Sequence, residues 1–214
     1  MNATLQKLEQ FGIVPVVVLD DAADAAPLAK ALYDGGLACA EVTFRTAAAE
    51  ESIRIMTTEY PDMVVGAGTV LTTDQVDRAI AAGAKFIVSP GLDPKIVTYC
   101  IKKNIPITPG VVTPSEIAKA IELGLDVVKF FPAEPSGGLA MIKAVAAPYN
   151  KLRFMPTGGI NEKNALPYLQ YDKIIACGGS WMVKSDLIKE GKFDEITALT
   201  KEAVSLVRSA REVK

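Results

Sequence analysis

Short apolar runs rich in β-branched residues recur along this 214-residue chain at nearly constant intervals, each followed by an amphipathic stretch rich in Ala, Leu, Lys and Glu. The runs fall at 13–19, 38–44, 63–67, 86–89, 106–108, 127–131, 152–155 and 174–176. Taking Val14, Cys39, Val64, Lys85, Pro106, Val127, Leu152 and Lys173 as markers, neighbours are separated by 25, 25, 21, 21, 21, 25 and 21 residues. A period this regular leaves no room for long loops. It predicts right-handed βαβ crossovers and a parallel sheet, and eight equivalent units predict closure into a (β/α)8 TIM barrel. An open doubly wound sheet is the competing α/β architecture, but that fold announces itself with a GxGxxG or Walker loop near its start, and neither is present. Helix starts carry capping chemistry at Thr72-Thr73-Asp74, Thr113-Pro114-Ser115-Glu116 and Asn161-Glu162, and Gly35-Gly36, Gly83 and Gly124 stand where helices close. Residues 2–11 read as an extra N-terminal helix and 193–211 as the last one. No linker or low-complexity segment interrupts the pattern, so 1–214 is expected to form one domain.

The composition removes whole classes of chemistry. There is no histidine, which excludes Ser-His-Asp and Cys-His machinery and imidazole-rich zinc sites, leaving Lys, carboxylates, hydroxyls and backbone groups. Cys39, Cys100 and Cys177 are odd in number and have no CxxC spacing, so buried reduced thiols are expected, with neither a disulfide framework nor a thiolate metal site. A net charge of -2 gives no reason to expect nucleic acid or an anionic membrane as partner. The N-terminus lacks the basic start and apolar core of a signal peptide, and the longest apolar run, 13–19, is too short to span a bilayer. A cytoplasmic protein is the expectation.

In a (β/α)8 barrel the chemistry sits at the carboxyl ends of the strands. In the second run, side-chain alternation puts Glu41, Thr43 and Arg45 on one face and Val42 and Phe44 on the other. The polar face is predicted to point into the barrel, with the carboxylate deep and the guanidinium roughly 13 Å nearer the mouth. The sixth run encloses one lysine, Lys129, between Val127-Val128 and Phe130-Phe131. An ammonium there is expensive, and burial favours the neutral, nucleophilic amine, which can attack a ketone to form an imine with Glu41 moving the protons. A structural Lys-Glu ion pair is the competing explanation, although such pairs stabilise poorly compared with apolar packing. Lys85 and Lys173 stand at strand starts and are expected to be solvated. Two Gly-Gly pairs, Gly158-Gly159 after Thr157 and Gly178-Gly179 before Ser180, are read as loops following the last two strands, the recurrent phosphate site of this barrel. The small residues of Val65-Gly66-Ala67-Gly68-Thr69 allow close approach of a substrate or simply close packing, and Ser89-Pro90-Gly91 and Thr108-Pro109-Gly110 read as turns shaping the mouth.

These residues resemble the 2-keto-3-deoxy-6-phosphogluconate (KDPG) and 4-hydroxy-2-oxoglutarate (KHG) aldolases, a class I family. One signature is Gly36-Leu37, three residues, then Glu41-Val42-Thr43-Phe44-Arg45. The other is Gly124, three residues, then Val128-Lys129-Phe130-Phe131-Pro132-Ala133, with Gly137 following. The similarity runs from about residue 5 to the end. It implies Lys129 as Schiff-base lysine and Glu41 as general acid/base, Arg45 and Thr69 on the pyruvyl carboxylate, and Phe131 and Pro90 as walls of the pyruvate pocket. It further implies Thr157, Gly158, Gly159, Gly179 and Ser180 on the substrate phosphate or nearby hydroxyls, a phosphorylated 2-keto acid as substrate, no metal or other cofactor, and a homotrimer. Relatives acting on the galactonate isomer often end strand one with arginine and carry valine before the first Gly-Gly pair; Leu19-Asp20 and Thr157 here favour the gluconate branch. A phosphosugar isomerase or phosphate-binding barrel without carbon-carbon chemistry, and an idle scaffold, are the other classes the residues allow.

Overall fold

Strand formation follows the alternation read from the sequence. The computed structural model describes residues 1–212, so the last two positions of the expected 1–214 domain lie outside the described residues. Among them, eight strands appear in chain order: β1 (Ile13–Val17), β2 (Cys39–Thr43), β3 (Val64–Gly68), β4 (Ile87–Ser89), β5 (Ile107–Val111), β6 (Val127–Phe130), β7 (Arg153–Pro156) and β8 (Cys177–Gly179). Every pairing is parallel, in the order β7-β6-β5-β4-β3-β2-β1-β8. Bridges Phe154 to Ile174 and Thr157 to Gly178 bring the last strand region against β7 and close the ring. This is the (β/α)8 barrel, and the extra N-terminal helix α1 (Ala3–Phe11) is present.

The helices between strands are α2 (Ala25–Gly35), α3 (Ala49–Glu59), α4 (Thr73–Ala81), α5 (Pro94–Lys102), α6 (Pro114–Glu122), α7 (Gly138–Ala146) and α8 (Ala165–Leu169), followed after β8 by α9 (Ser185–Lys189) and α10 (Phe193–Glu212). Two of the three caps behave as read. Thr72 accepts from the Gln75 N–H at 3.1 Å, and Thr113 with Glu116 forms a complete capping box. Burial raises the Glu116 carboxyl, but hydrogen bonds from the Val112 and Thr113 N–H groups and the Thr113 hydroxyl outweigh it and hold it below its usual range. Asn161 starts an Asx turn rather than a helix, its side chain accepting from the Lys163 N–H, and the short α8 begins only at Ala165.

Two apolar layers result. Outward residues such as Ala40, Val42, Val128 and Phe130 pack under the helices in one large core. Inward residues including Val14, Cys39, Val64, Phe86, Val127 and Met155 form a second core inside the barrel, together with Leu5 and Leu8 of α1. Thus α1 plugs the N-terminal end. It is anchored by an ion pair from Arg153 of β7 to Glu9.

Two strands and one lysine differ from the sequence reading. The eighth strand lies at Cys177–Gly179, not 174–176, so Gly178 and Gly179 are strand residues rather than a following loop. β5 runs through Thr108-Pro109-Gly110, which therefore is not a turn. Gly110 allows this because a Cβ there would collide with the Pro90 carbonyl, so only glycine lets the Pro90 turn lie against the strand. Lys173 is half-buried and not solvated as expected, donating to the Ala146 and Tyr149 carbonyls at 2.9 and 2.8 Å at the end of α7. Lys85 is exposed as expected. All three cysteines are free and buried; burial pushes the Cys39 and Cys177 thiols far up and that of Cys100 up to about 12.

Candidate active site

Alternation along β2 and β6 turns Glu41 and Lys129 inward, because their neighbours Ala40, Val42, Val128 and Phe130 are claimed by the helix-facing core. The two side chains meet at 3.4 Å, Nζ to Oε1, with Lys129 5% and Glu41 1% exposed. The other carboxylate oxygen of Glu41, Oε2, is buried without a hydrogen-bond partner. So are the hydroxyls of Thr108 and Thr157. Leaving a polar atom buried and unpaired costs about 1–3 kcal/mol, more if charged. Several such atoms on the inward face of the barrel mark a place built for something other than packing.

Glycines on β3 make the room. A Cβ at Gly68 would collide with the Glu41 carboxylate, and one at Gly66 with the ring of Phe86. The small residues of β3 thus serve close packing of protein groups. Just after β3, Thr69 holds a left-handed φ of 56°, uncommon for a β-branched residue. Its hydroxyl accepts from Arg45 Nε at 3.3 Å.

Above the lysine opens a cleft of about 550 Å³. Arg45, Phe131, Thr157, Gly158, Gly159, Gly179 and Ser180 all line it. Lys129 and Glu41 lie deeper: Lys129 is in register with Met155, and Phe131 and Thr157 are each two residues further along their chains, roughly 7 Å toward the mouth. The Phe131 ring connects the levels, its centroid 5.0 Å from Lys129 Nζ. Pro90 does not line the cleft; it touches the site through Gly110, the β5 partner of Lys129.

The first Gly-Gly pair has the backbone that glycine alone adopts freely, with φ of 101° at Gly158 and 83° at Gly159. It is clamped to the segment after Lys129: Ala133 N–H donates to Thr157 O at 2.8 Å, Glu134 N–H to Gly158 O at 3.0 Å, and the Tyr168 hydroxyl of α8 donates to the Glu134 carboxylate. Burial, reinforced by that carboxylate, pushes the Tyr168 hydroxyl strongly up. Gly178, on β8, lacks the Cβ that would collide with the Thr157 hydroxyl. Three contributors escaped the sequence reading. Thr108 sits in a run too short to show its inward side, the Glu134–Tyr168 link joins residues 34 apart, and Lys184 enters the cleft from beyond the last Gly-Gly pair.

The fold and site together are those of a (β/α)8 barrel whose carboxyl end joins a buried lysine-carboxylate pair to an open polar cleft. The sequence pattern of the family described as KDPG and KHG aldolase matches residues 4–199. The chain is 50% identical to a 2-dehydro-3-deoxy-phosphogluconate aldolase of Haemophilus influenzae, covering 95% of this chain and 96% of that one. It is 43% identical to the KHG/KDPG aldolase of Escherichia coli (strain K12), over 90% of each. Its fold superposes with a TM-score of 0.91, at 37% identity and over 94% of this chain and 98% of the other, on a KDPG aldolase of Legionella pneumophila with pyruvate captured as a covalent carbinolamine intermediate. The chain therefore belongs to the KDPG and KHG aldolase family and is an enzyme of the carbon-carbon lyase class.

Proposed function

We propose that the chain is a Schiff-base aldolase that cleaves 2-keto-3-deoxy-6-phosphogluconate to pyruvate and glyceraldehyde 3-phosphate, with 4-hydroxy-2-oxoglutarate as a second substrate giving pyruvate and glyoxylate. The observation that carries this is the buried contact at 3.4 Å between Lys129 and Glu41 beneath the cleft. Lys129 Nζ attacks the C2 ketone, and loss of water from the carbinolamine gives an iminium. A base then takes the C4 hydroxyl proton, the C3–C4 bond breaks, and its electrons flow into the iminium to leave an enamine and the free aldehyde. Protonation at C3 and hydrolysis release pyruvate and restore the amine. Glu41, acting through a water, is the group within reach for these proton transfers. Arg45, held by Thr69, binds the carboxylate; Phe131 and Pro90 confine the pyruvyl part. Thr157, Gly158, Gly159, Gly179 and Ser180 take the phosphate end. The carbinolamine seen in the Legionella relative supports the first step, and the name of the Escherichia coli relative supports the second substrate.

The gluconate stereoisomer is favoured over galactonate because the end of β1 supplies no arginine, leading instead to Leu19, fully buried, and to Asp20, paired with Lys189 at 2.8 Å, and because Thr157 rather than valine precedes the first Gly-Gly pair. The reading includes a single catalytic domain, a homotrimer and a cytoplasmic location; no helix among the described residues is long and apolar enough to cross a membrane. Light scattering on the purified protein tests the trimer. Borohydride reduction in the presence of pyruvate tests the chemistry. The expected result is one reduced pyruvyl adduct on the peptide containing Lys129, and labelling of a different lysine, or of none, would overturn the assignment.

A further inference from the structure

Two cationic side chains line the cleft, Arg45 and Lys184. Arg45 is drawn toward β3 by Thr69. Lys184, an exposed residue, lines the cleft four residues beyond Ser180. Its neighbours along the chain are occupied: Lys189 pairs with Asp20 at 2.8 Å, Lys192 with Glu190 at 2.6 Å, and Asp186 turns its carboxylate onto the Leu187 N–H at 3.0 Å. Among the described residues no carboxylate lies within ion-pair distance of Lys184. The remaining groups at this end are neutral. One of them, the Thr157 hydroxyl, belongs to a residue only 7% exposed that lines the cleft, and it has no hydrogen-bond partner.

Neutral donors recognise oxygen atoms, but they respond weakly to whether those oxygens belong to a dianion, a monoanion or an alcohol. A lysine ammonium, a compact point charge on a flexible stem, responds to the charge itself. We propose that Lys184 is a specificity-determining residue that contacts the distal anion of the substrate. It would set the preference of the cleft for 2-keto-3-deoxy acids ending in a phosphate over those ending in an uncharged hydroxymethyl group. Arg45 holds one end of the substrate and Lys184 the other, with the bond to be cleaved between them. This inference rests on the aldolase reading above.

The test compares kcat/KM for 2-keto-3-deoxy-6-phosphogluconate with that for 2-keto-3-deoxygluconate, by coupled pyruvate release, in wild type, Lys184→Gln and Lys184→Arg. At low salt the phospho-to-unphosphorylated ratio is expected to fall about tenfold in the Gln variant, the size of a charge-assisted contact discounted for exposure, chiefly through KM. The Arg variant should recover most of the ratio, and the wild-type ratio should itself decline as salt rises. A ratio untouched by Lys184→Gln, or lowered equally by Lys184→Arg, overturns the inference. Borohydride trapping of pyruvate on the same three proteins separates the two levels. Wild type that neither traps pyruvate nor releases it from either acid brings down the aldolase reading together with this one. Trapping in all three proteins with an unchanged ratio brings down only the role of Lys184.

Discussion

At the amino end of the barrel the inward side chains are Val14, Cys39, Val64, Phe86 and Val127, closed from below by Leu5 and Leu8 of α1; two residues further along β2 and β6 the same inward face carries Glu41 and Lys129. The lower layer is dry and well packed. The upper one holds an ion pair at 3.4 Å and a buried carboxylate oxygen, Glu41 Oε2, without a partner. Both layers hang on the same strands, so neither backbone geometry nor hydrogen bonding between strands explains the contrast. What differs is which free energy the side chains serve. The lower layer stabilises by removing apolar area from water. On the aldolase reading proposed above, the upper layer gives up stability to hold an amine and a carboxylate where a substrate can complete them, since a buried pair competes poorly with apolar packing of similar volume.

That contrast can be broken at either layer. The largest expected effect is on turnover: Glu41→Gln should lower kcat by about 10²–10⁴-fold, the usual worth of a general acid/base. Pyruvate release by stopped assay measures it, and a variant within a few-fold of wild type would remove Glu41 from the proton transfers. Next comes stability in the lower layer. Phe86 is fully buried against Gly66, and Phe86→Ala is expected to cost about 3–5 kcal/mol in urea unfolding. The smallest effect sharpens the comparison most. Replacing the pair together, Lys129→Met with Glu41→Leu, should abolish activity yet leave the unfolding free energy unchanged or raised by about 1–4 kcal/mol. A loss of several kcal/mol in the double variant would mean that the pair stabilises the fold, and the functional account of its burial would fail.

Much of this was legible in one dimension. The 21- and 25-residue spacing contained the eight units and their order, strict alternation from Glu41 to Arg45 told which way Glu41 points, and the apolar residues on both sides of Lys129 told that it is buried. Capping at Thr72 and Thr113 was legible because a cap involves residues three apart. Errors came where the local signal was weak. Ile174 and Ile175 are apolar and β-branched and so drew the eighth strand three residues too early, whereas Cys177-Gly178-Gly179 has little strand propensity and forms β8 because β1 offers it a parallel partner. Pro109-Gly110 reads as a turn by composition but lies in β5, held between β4 and β6.

The sequence by itself determined the architecture, the inward direction of Glu41, the burial of Lys129, and the absence of any imidazole to do their work, because periodicity and composition are local properties of the chain. Only the tertiary structure decided that these two residues, 88 positions apart, touch; that Gly68 makes space for the carboxylate; and that Lys184 faces the same cleft as Arg45. Those facts depend on the register between strands and on the closure of the ring, which set how positions on different strands come together. Register is a relation between segments, and no window along one strand contains it.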